Sequence, residues 1–382
     1  MFILKSLVKK YFEWRYWGTL YRNMADQVKR TNQFGKENNI RYINKPGIAL
    51  SFDDSYRVYD WYKYGKPIFD NNDIKVTFNV NGVHPLKNNR IHIQEEIDLL
   101  LELQSDGHEI ANHGFKHRKA TDYSKINSVN KWIDDEIVLL NNWLSKQSHS
   151  KTGAKFKKPA SFAFPHFLAD EKTIAGIIPN HFNIARGHLN KDNLSSFNHF
   201  GFAPSICLDS YYSCNFFYLK KILKLVKRSG ENLILTGHSI LPQDIEGNKG
   251  EQHKRWGNWR VSPNTIEKII KVSKRLGLEF YTTSEIAGVA TFSDIYLESA
   301  VREKISLQAG KWLLIKDLIN IKELDLSNKG IKNLDGIQYF LNVEKLDISN
   351  NAISDFSLLK KLQRLKHLNI ANNYSEINAK VI

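Results

Sequence analysis

The sequence predicts an α/β chain, a barrel-like domain followed by a short solenoid of parallel strands. Two patterns carry this expectation. Between residues 47 and 290, short apolar runs alternate with amphipathic helical segments. Beyond residue 290 the alternation stops, and a Leu-x-Leu/Ile unit followed by Asn returns at Leu324, Leu346 and Leu368, 22 residues apart each time. Strands alternating with helices imply parallel βα units, and a short fixed period implies stacked repeats. We therefore expect three regions: an N-terminal helical extension (1–46), the barrel (47–290) and a repeat domain (291–382).

The N-terminal stretch MFILKSLVKKYFEWRYWGTLYR reads as one amphipathic helix. Leu4, Leu7, Val8, Tyr11 and Phe12 share a face, with Lys5, Lys9, Lys10 and Arg15 as the basic complement. Such a helix lies in a membrane interface or packs on its own domain, and the sequence leaves both open. Lysines break the apolar run, so it does not read as a secretory signal. No run approaches the roughly 20 apolar residues of a membrane span. The expected location is cytoplasmic, with peripheral contact at the inner membrane face.

Strand candidates in the barrel are GIALSF (47–52), KVTFNV (75–80), HEIAN (108–112), ASFAFP (160–165), FNIAR (182–186), NLILTG (232–237) and LEFYTT (278–283). Helical patterns fall at 95–107, 128–146, 218–230 and 264–277. About seven strands in ~240 residues suit a barrel better than a short open sheet. In such a barrel, chemistry gathers at the C-terminal ends of the strands. Two strands run into chemically loaded tripeptides, FDD and TGH.

The composition narrows the partners. The chain carries 55 Lys+Arg against 40 Asp+Glu, a net charge of +15 in 382 residues. The lysines are scattered and no nucleic-acid motif is present, so nucleic acid is not an expected partner. Cys207 and Cys214 are too few for a disulfide framework and form no CxxC pattern, which points to a reducing compartment.

Three clusters carry chemistry. Asp53 and Asp54 are adjacent at a strand end, where like charges raise each other's pKa and require compensation. HEIANHGFKH holds His108, His113 and His117. His238 follows the strand NLILTG. If residues 113–117 form a helical turn, His113 and His117 share a face. With one carboxylate they would make a facial triad suited to a divalent metal. Taken alone, an HxxxH pair is a weak signal and is more commonly an exposed helix pair. Its coexistence with the Asp pair favours a site. His108 lies earlier in the strand run and reads as structural.

These motifs, in order over residues 47–290, resemble the polysaccharide deacetylase family, the NodB-homology carbohydrate esterases (family 4). SFDDSY resembles its first motif, LQSDGHEIANHGFKH its histidine motif, and LILTGH its last. The resemblance implies a distorted (β/α)7 barrel that hydrolyses N-acetyl, less often O-acetyl, groups on sugars with a divalent metal. Zinc is the first expectation, with cobalt, nickel or manganese as alternatives. Carried over by position, Asp54, His113 and His117 would hold the metal. Asp53 would be the general base and His238 the general acid. This division fits amide hydrolysis, which needs an activated water, a polarised carbonyl and a protonated leaving nitrogen.

The third family motif departs from its usual form. FAFPHF (162–167) places Ala163 where the family usually has an arginine that positions the catalytic aspartate; Pro165 is kept and His166 replaces a tyrosine. Arg186, after the next strand, is the candidate replacement cation. His166 would line the acceptor pocket or offer its backbone N–H to an oxyanion. In the loop 239–262, Trp256 and Trp259 are candidates for stacking on sugar rings, and Arg255 or Arg260 for holding an anionic group. A polar loop with two packing tryptophans explains the same residues. Tyr56, Tyr59 and Trp61 lie near the site in sequence but read as packing for the following helix.

The 22-residue period is a leucine-rich repeat signature. The stretch 292–310 reads as an amphipathic helix ending at Gly310, placed to cap the open end of the repeat core. It resembles the N-terminal cap of internalin-like repeat domains. A capped solenoid of about three repeats would dock a protein partner or a second copy of the chain.

The whole implies metal-dependent N-deacetylation of an acetamido sugar in a bacterial surface polysaccharide, or in its lipid- or nucleotide-linked precursor. The partner is then an N-acetylated glycan or glycolipid. An O-deacetylase or another amide hydrolase with the same centre is the nearest alternative. A catalytically weak barrel acting through its repeats is the more distant one.

Overall fold

The computed structural model describes residues 2–34, 45–84, 88–188, 201–210, 214–245, 252–253, 257–308 and 310–374. The chain divides into two compact units, Met1–Leu103 with His108–Ala287, and Gly288–Ile382 with Gln104–Gly107.

The first unit is a closed barrel of seven parallel strands: β1 (Gly47–Asp53), β2 (Thr77–Val80), β3 (Glu109–Asn112), β4 (Ser161–Leu168), β5 (Ile184–His188), β6 (Phe202–Cys207) and β7 (Asn232–Gly237). Pairing of β1 with β7, from Gly47↔Asn232 to Phe52↔Gly237, closes the ring. An eighth strand, β8 (Glu279–Tyr281), pairs with Gly47–Ala49 of β1. On the same edge β2 takes Ser51, Phe52 and Asp53. The seven-strand count therefore holds with different membership. The expected strand at 278–283 lies beside the ring, and 202–207 completes it. Pro204 stands inside that strand, and proline in an apolar run argues against strand.

Side-chain alternation along β1 sets up the site. Ile48, Leu50 and Phe52 join an apolar cluster with Leu100, Leu223, Ile266 and Ile269 from the surrounding helices. Ala49 packs with Ile184, Ala203 and Ile234 from strands around the ring. Successive strand residues point to opposite faces, so Ala49, Ser51 and Asp53 face the barrel interior. Small residues there leave room for polar groups near the end of β1.

Helix α1 (Phe2–Phe34) lies against helix α2 (Phe216–Ser229). Trp17, Leu20 and Met24 are buried in one cluster with Leu219, Ile222, Leu223 and Val226. Asn215 starts α2 by accepting a hydrogen bond from the Tyr218 N–H, and Gly230 ends it at φ 73°. A left-handed residue at this position is cheapest as glycine. The packing reading thus holds for residues 17–24. The side chains of Leu4, Lys5 and Lys9 lie outside the described residues. Among the described residues, no helix is long and apolar enough to cross a membrane.

The second unit stacks three parallel strands, β9 (Glu323–Asp325), β10 (Lys345–Asp347) and β11 (His367–Asn369), with Leu324, Leu346 and Leu368 in register. Two asparagines divide the work of the second and third turns, while the first has Asn328 followed by Lys329. Asn328, Asn350 and Asn372 take φ of 57°, 55° and 57°, a region asparagine tolerates. Asn351 Nδ2 donates to the carbonyls of Leu326 and Ile348 at 2.9 and 3.0 Å. Its Oδ1 accepts from the Lys329 and Ile331 N–H groups. The cap helix is shorter than expected, Ile295–Lys304 rather than reaching Gly310. Asp294 begins it, accepting from Tyr296 and Leu297 N–H through Oδ1. Its Oδ2 accepts from Lys332 and Asn333, which ties the cap to the first repeat.

Candidate active site

Asp53 ends β1, and Asp54 follows at φ 71°, ψ 86°. The Arg186 guanidinium pairs with Asp53 Oδ1, and its Nε donates to Ser51 Oγ at 3.2 Å. Asn79 Nδ2 donates to the same Asp53 oxygen at 2.9 Å. Burial pushes the Asp53 carboxyl above the usual range, against the pull of Arg186 and His238. Arg186 is the cation anticipated for the arginine-less third motif, and it reaches Asp53 from β5. Ala163 serves the site through its backbone: its carbonyl accepts from His113 Nδ1 at 2.8 Å. That bond leaves His113 Nε2 with its lone pair free.

Asp54 Oδ1 stands 3.6 Å from His113 Nε2 and 3.4 Å from His117 Nε2. Asp54 Oδ1 and His113 Nε2 are buried and have no hydrogen-bond partner. Donor atoms about 2.0–2.1 Å from a tetrahedral zinc stand about 3.3 Å apart. The three residues therefore fit a divalent cation. Asp54 Oδ2 is satisfied separately, by Arg57 Nη1 at 2.5 Å and the Tyr56 hydroxyl at 3.2 Å. Burial opposes ionisation of Asp54, but His117, Arg57, His238 and His113 outweigh it and hold the carboxyl well below its ordinary range. Burial pulls His113 down to about 3 and His117 to about 4, so both rings are neutral and able to ligate.

The expected helical turn at 113–117 does not form. This segment is a loop, with Gly114 at φ 77° and His117 at φ 56°. Buried Glu136 shapes it: the carbonyl accepts from Phe115 N–H at 3.0 Å, and Oε2 from Lys116 N–H at 2.9 Å. A Cβ at Gly114 would come within 2.8 Å of Glu136 Oε2 and would sit on backbone at φ 77°, so a larger residue there would be strained and would press on the carboxylate that shapes the loop. The two imidazoles still meet, with ring centroids 4.8 Å apart.

His238 completes the group, its Nε2 3.9 Å from Asp54 Oδ2. Its Nδ1 bonds Asp209 Oδ2 at 2.5 Å, and its backbone N–H donates to Asp209 Oδ1 at 3.0 Å. Burial acts to lower the His238 pKa, but the Asp209 carboxylate outweighs it and raises the value. Sequence reasoning missed Asp209, an acid two residues beyond β6. Asn79 and Arg57 were also missed. Asn79, an amide near the C-terminal end of the strand run KVTFNV, was the visible signal.

The other anticipated residues divide. Trp259 packs beside His238, centroids 5.1 Å apart, and the His166 ring is 4.8 Å from that of His117. His166 is exposed, with φ 57°. Pro165 is buried. Arg260 does not present its guanidinium for an anionic group. It donates to the Pro242 and Gln243 carbonyls at 3.4 and 3.3 Å, holding the loop after His238. Tyr56 touches Asp54 rather than serving only the next helix. Trp61 stacks on Phe78 and donates to the His238 carbonyl at 2.9 Å. Tyr59 is partly exposed. His108 is buried against Phe69 and Phe78, as expected of a structural residue. Trp256 and Arg255 lie outside the described residues.

Residues 41–154 match the family model of polysaccharide deacetylases, and residues 341–379 match that of leucine-rich repeats. Part of the barrel is thus similar to polysaccharide deacetylases, and the C-terminal unit contains a stretch similar to leucine-rich repeats. Similar solved structures include a CE4 family pseudoenzyme from Bacillus anthracis (14% identity, 65% of this chain and 68% of that one, TM-score 0.39). Another is a family 4 acetyl xylan esterase from Clostridium thermocellum in complex with a cobalt ion (18% identity, 63% and 89%, TM-score 0.34). An internalin from Listeria monocytogenes is similar at 28% identity over 22% of this chain, TM-score 0.21, and this chain spans 24% of its length. A search of curated proteins finds no match.

Proposed function

We propose that the barrel is a metal-dependent hydrolase that removes N-acetyl groups from an acetamido sugar of a surface polysaccharide or its lipid- or nucleotide-linked precursor. The observation that carries this reading is the pair of buried, unpartnered donors, Asp54 Oδ1 and His113 Nε2, beside an Asp53 held by Arg186. Asp54, His113 and His117 would hold a divalent cation, which would supply Lewis acidity towards the acetyl carbonyl and water. Zinc suits one carboxylate and two imidazoles best.

The chain's own groups do the proton work. Asp53 takes the proton of the attacking water. Arg186 and Asn79 fix the orientation of its carboxylate. His238 gives a proton to the departing amine nitrogen, and Asp209 holds it protonated with that proton aimed from Nε2. Trp259, packed against His238, offers an aromatic wall for a sugar ring.

Acetate release from polymer-, lipid- and nucleotide-linked N-acetyl sugars, with and without zinc, tests the reading. Metal-dependent release from one class, lost in Asp53→Asn, supports it. If the purified chain bound no divalent metal under any loading condition, the proposal would fail in favour of an inactive barrel. Release from O-acetyl substrates alone would make it an esterase.

A further inference from the structure

Among the described side chains of α1, the apolar residues at 7–14 are exposed, whereas Trp17, Leu20 and Met24 are buried. Leu7, Val8, Tyr11, Phe12 and Trp14 are between 46% and 61% exposed, whereas Trp17 and Met24 are at 0% and 1%. Phe217, at the start of α2, is 54% exposed and stacks on Trp14 with centroids 5.6 Å apart. Asn215 Nδ2 donates to Glu13 Oε1 at 3.0 Å and locks the two helices together at this point. The result is one aromatic surface built from both helices.

Its electrostatic surroundings are one-sided. Lys10, Arg15 and Arg22 are exposed on α1. Helix α2 carries Lys220, Lys221, Lys224, Lys227 and Arg228 and no acidic residue. Lys221 Nζ sits 4.3 Å from the Phe217 ring centroid, so cation and aromatic are interleaved rather than segregated. Glu13, the acid on this stretch of α1, is engaged by Asn215. Exposed Trp, Tyr and Phe flanked by long cations fit the boundary between lipid headgroups and acyl chains.

We propose that this face docks the protein on an anionic phospholipid surface. The rings enter the interfacial layer while the lysines and arginines meet lipid phosphates. Charge complementarity selects lipid over an apolar protein partner: a closed protein interface would bury these cations, whereas headgroups neutralise them. The docking is independent of the hydrolysis proposed above and stands or falls separately.

Vesicle co-sedimentation of the full chain tests it. Binding to phosphatidylglycerol-containing vesicles and not to pure phosphatidylcholine vesicles, weakened by salt, is expected. Lys220→Glu, Lys221→Glu and Lys224→Glu should each cost about fivefold in partitioning. The triple variant Leu7→Ser/Tyr11→Ser/Phe217→Ser should lose about tenfold or more, with thermal stability and acetate release from a soluble substrate unchanged. Equal binding to both vesicle types overturns the proposal, as does an undiminished triple variant. Self-association that the same substitutions abolish, without vesicle binding, assigns the face to a protein contact instead.

Discussion

Arg186 and Asp53, 133 positions apart in sequence, form a buried ion pair at the mouth of the barrel. The guanidinium arrives from β5, not from the strand on which the family resemblance would seek it. Removing it leaves Asp53 buried without its counter-charge, and the carboxyl rises further. An ionised base is then available only at higher pH. Arg186→Met should lower kcat by about 10²-fold or more and move the acidic limb of the pH–rate profile upward, with bound metal unchanged. Urea denaturation should show a loss of about 3 kcal/mol.

The two adjacent aspartates should separate by assay. Asp53→Asn should keep its metal, by elemental analysis, and lose activity about 10³-fold or more. Asp54→Asn should lose metal itself, because the amide oxygen is a weaker ligand and the three ligating side chains then carry no negative charge.

Asp209→Asn removes the carboxylate that raises His238. The imidazolium then loses its proton at lower pH, so the alkaline limb of the rate profile should shift down. A fall in kcat of about 10–10²-fold should accompany it, with little change in metal content. An unmoved alkaline limb would reject Asp209 as the group that holds the acid form.

His108 gives a stability prediction free of the metal. Burial drops its pKa to about 3 from an ordinary 6.5, and its Nδ1 accepts from the Val76 N–H at 3.2 Å. Below pH 6.5 the unfolded chain binds a proton that the folded chain refuses. Stability is therefore lost as pH falls from 6.5 towards 3. Between pH 7 and pH 5 this histidine alone should cost about 2 kcal/mol, measured by urea denaturation. His108→Leu should flatten that part of the curve. At neutral pH it should be less stable by about 1–3 kcal/mol, since the Val76 donor is left unpaired.

In the repeat unit, Asn351→Ala strips partners from four or more backbone groups inside the turns. A loss of about 3 kcal/mol or more is expected in thermal or urea unfolding of that unit. Asn372→Ala, at an exposed turn, should cost about 1 kcal/mol.

The parts legible in the sequence were those where residue type and position coincide. Carboxylates do not end a buried strand without a purpose, so Asp53 and Asp54 stood out. A 22-residue leucine period admits few architectures. What escaped were groups that depend on backbone path. Strand β6 was hidden by Pro204, and with it Asp209. The loop carrying His113 and His117 passed for a helical turn because their spacing suits one. Its true shape depends on Glu136, some twenty residues on, and on a glycine at positive φ. Arg260 looked like a free cation, since a sequence does not show which carbonyls a loop leaves unpaired.

The left-handed backbone at Asp54 acts as a second filter on that position. In a continued strand, Asp53 and Asp54 would point to opposite faces of the sheet. The turn at φ 71° lets both carboxylates converge on one cavity. Glycine, asparagine and aspartate tolerate such a conformation best, and among them aspartate alone brings a charged oxygen ligand. Glutamate would meet the charge requirement but resist the backbone; asparagine would meet the backbone requirement but not the charge. Two unrelated constraints thus leave a single amino acid acceptable at residue 54, and a library randomised there should return aspartate even under a mild selection for activity.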